Sequence, residues 1–405
     1  MRKYYGVETE KALKNFQISA TNIKPDFVKA LAKVKLAALF ANYELKQISS
    51  PKFAAIKKVI NEIIDGKHKD QFLLDQIQGG AGTSINMNIN EVIAIRASEL
   101  SGIDIHYLDD VNKSQSTNDV LPTALKVLTL DEIDEVNNNL SQLMKSFKLK
   151  GKEYGKVMKP GRTHLQDALP ITFGQLFESY ASLTSRLIEY LTDQKKYFLR
   201  SSLGGTAIGT SVNTPKRYST KVSKYLSEIT CHKFIDSIDK IDLTQNSDIF
   251  LQVMAVLNTA LASLSKVVND LRLMASGPKT GFSEITLPVY QKGSTIMPAK
   301  NNPVTLEAFN QISNEIAGCY QSVYLDTIQG QLELNVMMPN IIKSIRYSFT
   351  IFINGLKLLT QTVENIKVNE KRCEELVKNS LIMKPLEVSE FGYDKVEKEI
   401  LDKLK

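Results

Sequence analysis

The sequence predicts a mainly all-α protein, with an elongated central bundle of five helices and smaller N- and C-terminal domains. The first observation is proline placement, because proline cannot continue a helix and the 405-residue chain has five long proline-free runs after Pro122. These runs are 123–159, 171–214, 216–277, 304–338 and 340–384. The second observation is that glycine, which weakens a helix, clusters at 79–82, 204–209 and 277–293.

Apolar periodicity is the third observation. Within each run, apolar residues recur at three- and four-residue steps, which is typical of a helix that packs on one face. The third run is the clearest, with the stripe Phe250, Met254, Leu257, Leu261, Leu264, Val268 and Leu271. Several runs also have apolar residues outside the stripe. A second buried face of this kind favours association between chains.

The chain is expected to divide into three domains. Residues 1–117 are helical and mixed, and we interpret them as an N-terminal domain. Residues 118–368 form the central helical bundle. Residues 369–405 are charged and broken by Pro385 and Gly392, so we expect a shortened C-terminal small domain.

Composition excludes several classes of protein. Hydrophobic residues make up 43% of the chain and charged residues 23%, which excludes a disordered or fibrous chain. The 51 Lys and Arg against 44 Asp and Glu give a net charge of +7. This mild excess favours a small anionic substrate and does not indicate nucleic-acid binding, because no basic–aromatic patch accompanies it.

Cysteine usage and the N-terminus indicate where the protein works. Cys231, Cys319 and Cys373 fit neither a metal motif nor a disulfide framework. The N-terminus has no apolar signal stretch, and we expect no run near the roughly 20 apolar residues that span a bilayer. A soluble cytoplasmic protein without membrane contact is the expectation.

Two polar segments in the first third of the chain are not needed by a bundle. Gly79–Asn88 begins with a glycine-rich turn that feeds a helix, an arrangement that presents backbone N–H groups to an anion. Asn112–Asp119 is an unbroken polar run before Leu121 and Pro122. A capping loop explains one such residue, but not the whole run, so a functional role is favoured.

Two further segments point to acid–base chemistry. Gly161–Asp167 contains His164 beside Thr163, and a histidine in such a turn can bind a carboxylate or orient a proton transfer. Gly293–Pro303 has two hydroxyl residues, then a lysine and asparagines, and leads into Glu307. We interpret this segment as a mobile loop that covers a pocket; the alternative is a proline-rich connection between helices.

Together these segments resemble the fumarase/aspartase superfamily. The signature loop of that superfamily, G-S-S-x-M-P-x-K-x-N, reads GSTIMPAKNN here. The resemblance covers nearly the whole chain, from Tyr4 to about residue 395. Its other motifs occur in the order of the superfamily: GGAGTSINMNINEVIA, VNKSQSTND, GRTHLQDALPITFGQ, GTAIGTSVNTP, LRLMASGPKTGFSEITLP and GQLELNVMMP.

The resemblance implies an ammonia-lyase that converts L-aspartate to fumarate by anti-elimination. The GGAGTS and STND forms and Pro298-Ala299-Lys300 favour this reaction over that of class II fumarases, the near neighbours. Proton removal gives an aci-carboxylate intermediate that the site must stabilise. The superfamily's base corresponds to Ser294, which needs oriented N–H groups and a nearby cation in order to ionise.

The resemblance also implies a role for each site residue. The β-carboxylate would be held by Thr83, Ser116, Thr117 and Thr295. The α-carboxylate would be held by Thr163, His164, Lys300 and Asn302. Asn118 would position the amino group, Glu307 would orient His164, and Lys300 is also a candidate for the cation beside Ser294. The resemblance further implies a small dicarboxylate substrate and a homotetramer whose sites are shared between subunits. It implies no metal in the site and no cofactor, and it leaves activation by a divalent cation open.

Departures from the superfamily pattern leave alternatives. Residues 103–110 replace a longer loop and put Asp110 where a histidine is usual, which predicts repulsion of a dianion. Thr295 replaces the usual second serine of the signature loop, and both ends of the chain are short for the family. One alternative is a class II fumarate hydratase acting on malate and fumarate, because it shares most of the same residues. The second is a catalytically silent helical paralogue.

Overall fold

The structure is a computed structural model that describes residues 2–404. Within this range the chain is mainly helical, as the sequence predicts. Its α-helices, in chain order, are α1 (Val7–Asn15), α2 (Pro25–Glu44), α3 (Ser50–Ile64), α4 (Thr83–Ser101), α5 (Thr117–Glu153), α6 (Phe173–Phe198), α7 (Tyr218–Thr230), α8 (Lys240–Gln245), α9 (Asp248–Met274), α10 (Val304–Ile328), α11 (Met338–Glu364), α12 (Glu370–Lys378), α13 (Val388–Phe391) and α14 (Tyr393–Leu404). A π-helical turn, Tyr107–Val111, precedes α5.

Between residues 2 and 404, six short strands form three two-stranded sheets. They are β1 (Met158–Thr163), β2 (Gln166–Thr172), β3 (Arg200–Ser201), β4 (Ile235–Asp236), β5 (Ile285–Thr286) and β6 (Lys367–Val368). β1 and β2 form an antiparallel hairpin, β3 and β4 pair in parallel, and β5 and β6 are antiparallel. The sheets are small, and the helices supply most of the core.

The chain forms two compact units. Unit 1 comprises residues 1–134, 191–257 and 316–350, and unit 2 comprises 135–190, 258–315 and 351–405. The predicted N-terminal domain falls in unit 1 and the predicted C-terminal domain in unit 2. The residues of the predicted central bundle contribute to both units. The division into three domains at 117 and 368 stays a prediction.

The structure confirms the five long helices that the proline-free runs predict. Helices α5, α6, α9, α10 and α11 each have 25 residues or more, and their apolar stripes are buried or half-buried. The start of α5 differs from the expectation, because the helix begins at Thr117 and includes Pro122. Ser116 and Asp119 explain this early start. Asp119 Oδ1 accepts the Ser116 N–H at 3.0 Å and Ser116 Oγ accepts the Asn118 N–H at 3.3 Å, so the two side chains cap the start of the helix in the manner of a capping box.

Unit 1 places buried polar side chains among its apolar helices. Helix α2 packs against α3 and α7, and α4 packs against α1 and α3. Glu91 of α4 is buried, and its carboxylate accepts the backbone N–H groups of Gly6, Glu8 and Thr9. The carboxylate therefore satisfies the free donors at the start of α1.

Unit 2 has an aromatic core. Phe147 of α5 lies against Phe177 and Tyr180 of α6, with ring centroids 6.4 and 5.5 Å apart. The Tyr180 hydroxyl donates to Asp270 Oδ2 at 2.9 Å, which satisfies its polar end.

Helix α9 is long and apolar enough to cross a membrane by length and composition alone. Polar residues interrupt the helix, so it contains no unbroken apolar run of about 20 residues. Inside the protein, 44% of its most apolar window is buried. One helix of this kind is weak evidence for a membrane span, since a core helix of a soluble protein has the same properties.

Candidate active site

The glycine-rich turn places Thr83 at the start of α4. Gly80 and Gly82 have φ angles of 70° and 84°, in the left-handed region that favours glycine. A Cβ on Gly82 would lie 2.4 Å from Cδ1 of the buried Leu121, so a larger residue would have to displace that side chain. The Thr83 hydroxyl donates to the Gly80 carbonyl at 2.7 Å.

The polar run before α5 places Ser116, Thr117 and Asn118 together. Thr117 Oγ1 accepts an N–H from the Asn86 side chain at 3.2 Å. Asn118 donates through Nδ2 to the Ala207 carbonyl at 2.8 Å. The run is therefore held by α4 on one side and by the 204–213 loop on the other.

These four residues line one cavity of unit 1, with a volume of about 510 Å³. Among the described residues that line it, none is charged; its polar groups are hydroxyls and amides. Besides the four predicted residues they include Asn86, Asn112, Ser114, Gln115, Thr206 and Asn213. Neutral donors in a concave site suit a carboxylate whose charge increases during a reaction.

Thr163 and His164 lie at the tip of the β1–β2 hairpin in unit 2. Thr163 pairs with Gln166, so His164 and Leu165 form a two-residue turn. Both have positive φ, 55° and 61°, as a type I′ turn requires. Asparagine and glycine are the usual residues there, so this turn places a histidine in a costly backbone conformation.

The buried carboxylate of Glu284 holds the hairpin. It lies 2.7 Å from Nη1 of Arg162 and 3.2 Å from Nζ of Lys159, both on β1, and Glu284 itself is fully buried. The Arg162 guanidinium also stacks on Phe282, 4.1 Å from the ring centroid. The strand that ends in Thr163 is thus tied to the segment that leads into the signature loop.

The signature loop has no regular secondary structure from 287 to 303. Asn302 Nδ2 donates to the Gly293 carbonyl at 2.6 Å, which joins the two ends of the loop. Ser294 Oγ accepts the backbone N–H groups of Ile296 and Met297 at 3.2 and 2.9 Å. These are two oriented donors of the kind that an ionised serine requires.

Thr295 and Lys300 share this loop and are exposed, whereas Glu307 lies in the first turn of α10. Glu307 Oε1 is 3.8 Å from Nη2 of Arg272. In the described chain it makes no hydrogen bond or ion pair with His164, and Lys300 makes none with Ser294. The pairs Glu307–His164 and Lys300–Ser294 stay predictions. Each would need a group from another subunit or a change in the loop.

Asp110 does not add an unpaired charge to the cavity. Its Oδ2 lies 2.6 Å from Nζ of Lys52 and accepts the His106 N–H at 2.8 Å. The ion pair offsets the carboxylate charge and removes the reason to expect repulsion of a dianion.

The predicted site residues thus fall into two sets. Unit 1 gathers Thr83, Ser116, Thr117 and Asn118 around one cavity. Unit 2 holds the others on a hairpin, a loop and a helix start: Thr163, His164, Ser294, Thr295, Lys300, Asn302 and Glu307. Residues 2–404 contain no cluster of three or more His, Cys, Asp or Glu that could hold a metal ion.

The sequence analysis favoured a function for the segments that contain Asn86 and Asn112, but it did not name these two residues, which line the cavity. The available signal was the asparagine at every second position from 86 to 90. Three asparagines in the interior of a helix are unusual, because asparagine favours caps and turns. All three are buried in α4.

Comparison with known proteins relates the chain to lyases. The protein family described as lyase matches residues 1–318. An aspartate ammonia-lyase of Bacillus subtilis (strain 168) is 41% identical over 384 residues, which cover 93% of this chain and 81% of the relative. One from Helicobacter pylori is 43% identical and covers 97% of this chain and 86% of the relative.

Solved structures of lyases are also similar to this chain. A fumarate lyase:delta crystallin from Brucella melitensis bound to cobalt has a TM-score of 0.96 and 39% identity, covering 100% of this chain and 90% of that one. A class II fumarase from Schistosoma mansoni also has a TM-score of 0.96, with 31% identity, 99% of this chain and 89% of its own covered. The chain therefore belongs to this lyase family, within the fumarase/aspartase superfamily that its motifs resemble.

Proposed function

We propose that this lyase is an aspartate ammonia-lyase, which removes ammonia from L-aspartate to give fumarate. The relatives named above support the substrate. The structural observation that carries the proposal is the position of Ser294, whose Oγ accepts two backbone N–H groups. Hydrogen bonds to the charged form lower the pKa of a hydroxyl, so this geometry favours serine as a base.

The reaction begins with a proton transfer. Ser294 takes a proton from the carbon next to the β-carboxylate, and the electron pair moves into that carboxylate to give a dianion. The hydroxyls of Thr83, Ser116, Thr117 and Thr295 stabilise it as hydrogen-bond donors. The C–N bond then breaks, the C=C bond of fumarate forms, and ammonia leaves from the opposite face.

The remaining residues hold the other end of the substrate. Thr163, His164, Lys300 and Asn302 bind the α-carboxylate, and Asn118 positions the amino group. Glu307 orients His164 across a subunit boundary, and within one chain it lies 3.8 Å from Nη2 of Arg272. The proposal therefore includes a homotetramer with shared sites, located in the cytoplasm.

The test is an ultraviolet assay for fumarate on the purified protein, with L-aspartate and L-malate in parallel. Fumarate from aspartate alone supports the proposal. Fumarate from malate alone would replace it with the hydratase, an alternative that the structural similarity to a class II fumarase favours. Product from neither substrate would leave the silent helical paralogue.

The same assay tests the cofactor part of the proposal, which is that the reaction needs none. Activity that survives dialysis against a chelator supports this part. Activity that returns only after a divalent cation is added would contradict it.

A further inference from the structure

We infer that Asp119 and Lys35, two charged residues buried beneath the unit 1 cavity, are positioning residues that hold its walls in the shape that binds a dicarboxylate. The dicarboxylate part rests on the proposed function. Neither residue lines the cavity, and neither belongs to the predicted site.

Asp119 joins two walls of the cavity. It is fully buried, and Oδ1 accepts the Ser116 N–H at 3.0 Å. Oδ2 accepts the N–H groups of Gly204 and Thr206 at 3.1 and 3.0 Å. Ser116 and Thr206 line the cavity from segments about ninety residues apart in the chain. One carboxylate therefore fixes the spacing of both segments.

Lys35 acts through Asn112. Its Nζ, on helix α2, donates to Asn112 Oδ1 at 2.9 Å, and the lysine is 1% exposed. The same oxygen accepts Nδ2 of Asn86 and of Asn90, each at 3.2 Å. An oxygen that accepts three N–H groups has a fixed orientation, so Lys35 holds the Asn112 amide and, through it, the Asn86 amide.

The hydrogen bonds that start at Lys35 also fix the hydroxyl of Thr117. Asn86 Nδ2 donates to Thr117 Oγ1, so the hydroxyl oxygen already has a donor. The hydroxyl hydrogen then remains available to donate into the cavity, toward a carboxylate oxygen. Lys35 thus orients a predicted substrate-binding hydroxyl without touching the substrate.

The two buried charges also depend on each other. Burial raises the pKa of the Asp119 carboxyl to about 7, although the Ser116, Thr206 and Gly204 N–H groups and Lys35 oppose that rise. Burial lowers the pKa of Lys35 to about 7, and Asp119 opposes that fall. Removing either charge leaves the other buried without its opposite, so each residue supports the charge of the other.

The chain offers matched controls. Glu91 is a buried carboxylate of unit 1 that also accepts backbone N–H groups, but it caps α1. Lys126 is 1% exposed and donates to the Arg200 carbonyl at 2.9 Å. Neither lines the cavity. Glu91→Gln and Lys126→Met therefore reproduce the loss of a buried charge without touching the walls.

The experiment measures binding of succinate, an unreactive dicarboxylate, by calorimetry on the full-length protein, beside the urea midpoint and oligomeric state. Asp119→Asn and Lys35→Met should each weaken binding about tenfold, the effect of losing one buried hydrogen bond. Glu91→Gln and Lys126→Met should bind as the wild type does, at comparable losses of stability. If Asp119→Asn does not fold, the Lys35→Met and Lys126→Met pair decides.

Wild-type succinate affinity in both Asp119→Asn and Lys35→Met would overturn the inference. So would an equal loss in the two controls, because the effect would then be general destabilisation. A wild type that binds succinate but does not release fumarate from aspartate contradicts the proposed function and leaves this comparison intact. A wild type that does not bind succinate overturns the inference itself.

Discussion

The cavity of unit 1 and the signature loop of unit 2 both hold predicted site residues, but they hold them differently. Thr117 is 9% exposed, and its hydroxyl is held by a buried asparagine network. In the loop, Ile296 and Met297 are 84% and 47% exposed, and Ser294 Oγ accepts the backbone N–H groups of these two loop residues. The cavity is preorganised by long-range contacts, whereas the loop depends on local ones.

This difference matches the two tasks. Stabilising a dianion requires donors that do not move during the reaction, because reorganisation would cost free energy. A base that must admit substrate and release product can lie on a loop that closes. We therefore expect cavity variants to change substrate affinity, and loop variants to change turnover with little change in stability.

Ser294→Ala gives the largest expected effect. Removing the base should lower kcat by about a thousandfold, within the usual contribution of general-base catalysis. The urea midpoint should stay within error, since the loop is not part of a core. The measurement is initial-rate fumarate release, with exposed Ser179→Ala as the control. A variant that keeps near-normal turnover would remove Ser294 from the mechanism.

Glu284→Gln tests whether unit 2 has any preorganised part. The amide would leave Arg162 and Lys159 without their buried counter-charge, at a cost of about 3 kcal/mol of unfolding free energy. Urea denaturation measures this loss, and exposed Glu178→Gln is the control. Equal stability of the two variants would mean that the hairpin is not held by this carboxylate.

Gly293→Ala tests the loop alone. A Cβ at this position would lie 2.2 Å from the Lys300 carbonyl oxygen, so the backbone of the loop must shift. A displacement of about 1 Å should lower kcat/KM on the order of a hundredfold while stability is kept. Gly151→Ala is the control, because its nearest neighbour would be at an ordinary 3.5 Å. A loss of stability without a loss of activity would mean that Gly293 supports the fold and not the active geometry of the loop.

Asp75→Asn has the smallest expected effect, on the segment that leads to the glycine-rich turn. Burial would raise the pKa of Asp75, but hydrogen bonds from Ser19, Ile77 and Ile18 lower it below its usual value. The ionised group therefore stabilises the fold above about pH 4, and this contribution is lost as the pH falls through the lowered native pKa.

The Asp75→Asn variant should lose about 1–3 kcal/mol at pH 7 and show a weaker dependence of stability on acid pH. Urea midpoints at pH 3, 5 and 7 measure both quantities, and exposed Asp70→Asn is the control. An unchanged slope with pH would show that Asp75 titrates alike in the folded and unfolded chain.

Much of the fold could be predicted because the pattern that indicates a helix lies in residues close together in the sequence. Apolar steps of three and four residues identified all five long helices, and the motif order identified the superfamily. The start of α5 was misplaced because Pro122 was taken as a boundary, whereas the capping box of Ser116 and Asp119 begins the helix earlier.

The sequence by itself determined the helices, the family and the residues with chemistry in their side chains. Only the tertiary structure decided what supports them. Lys35, Asn86, Asn112 and Asp119 are scattered over three elements and a loop, yet they converge on one cavity, which the two asparagines line. The physical reason is that a helical period specifies which face is buried. It does not specify which distant donor will meet which acceptor once those faces pack.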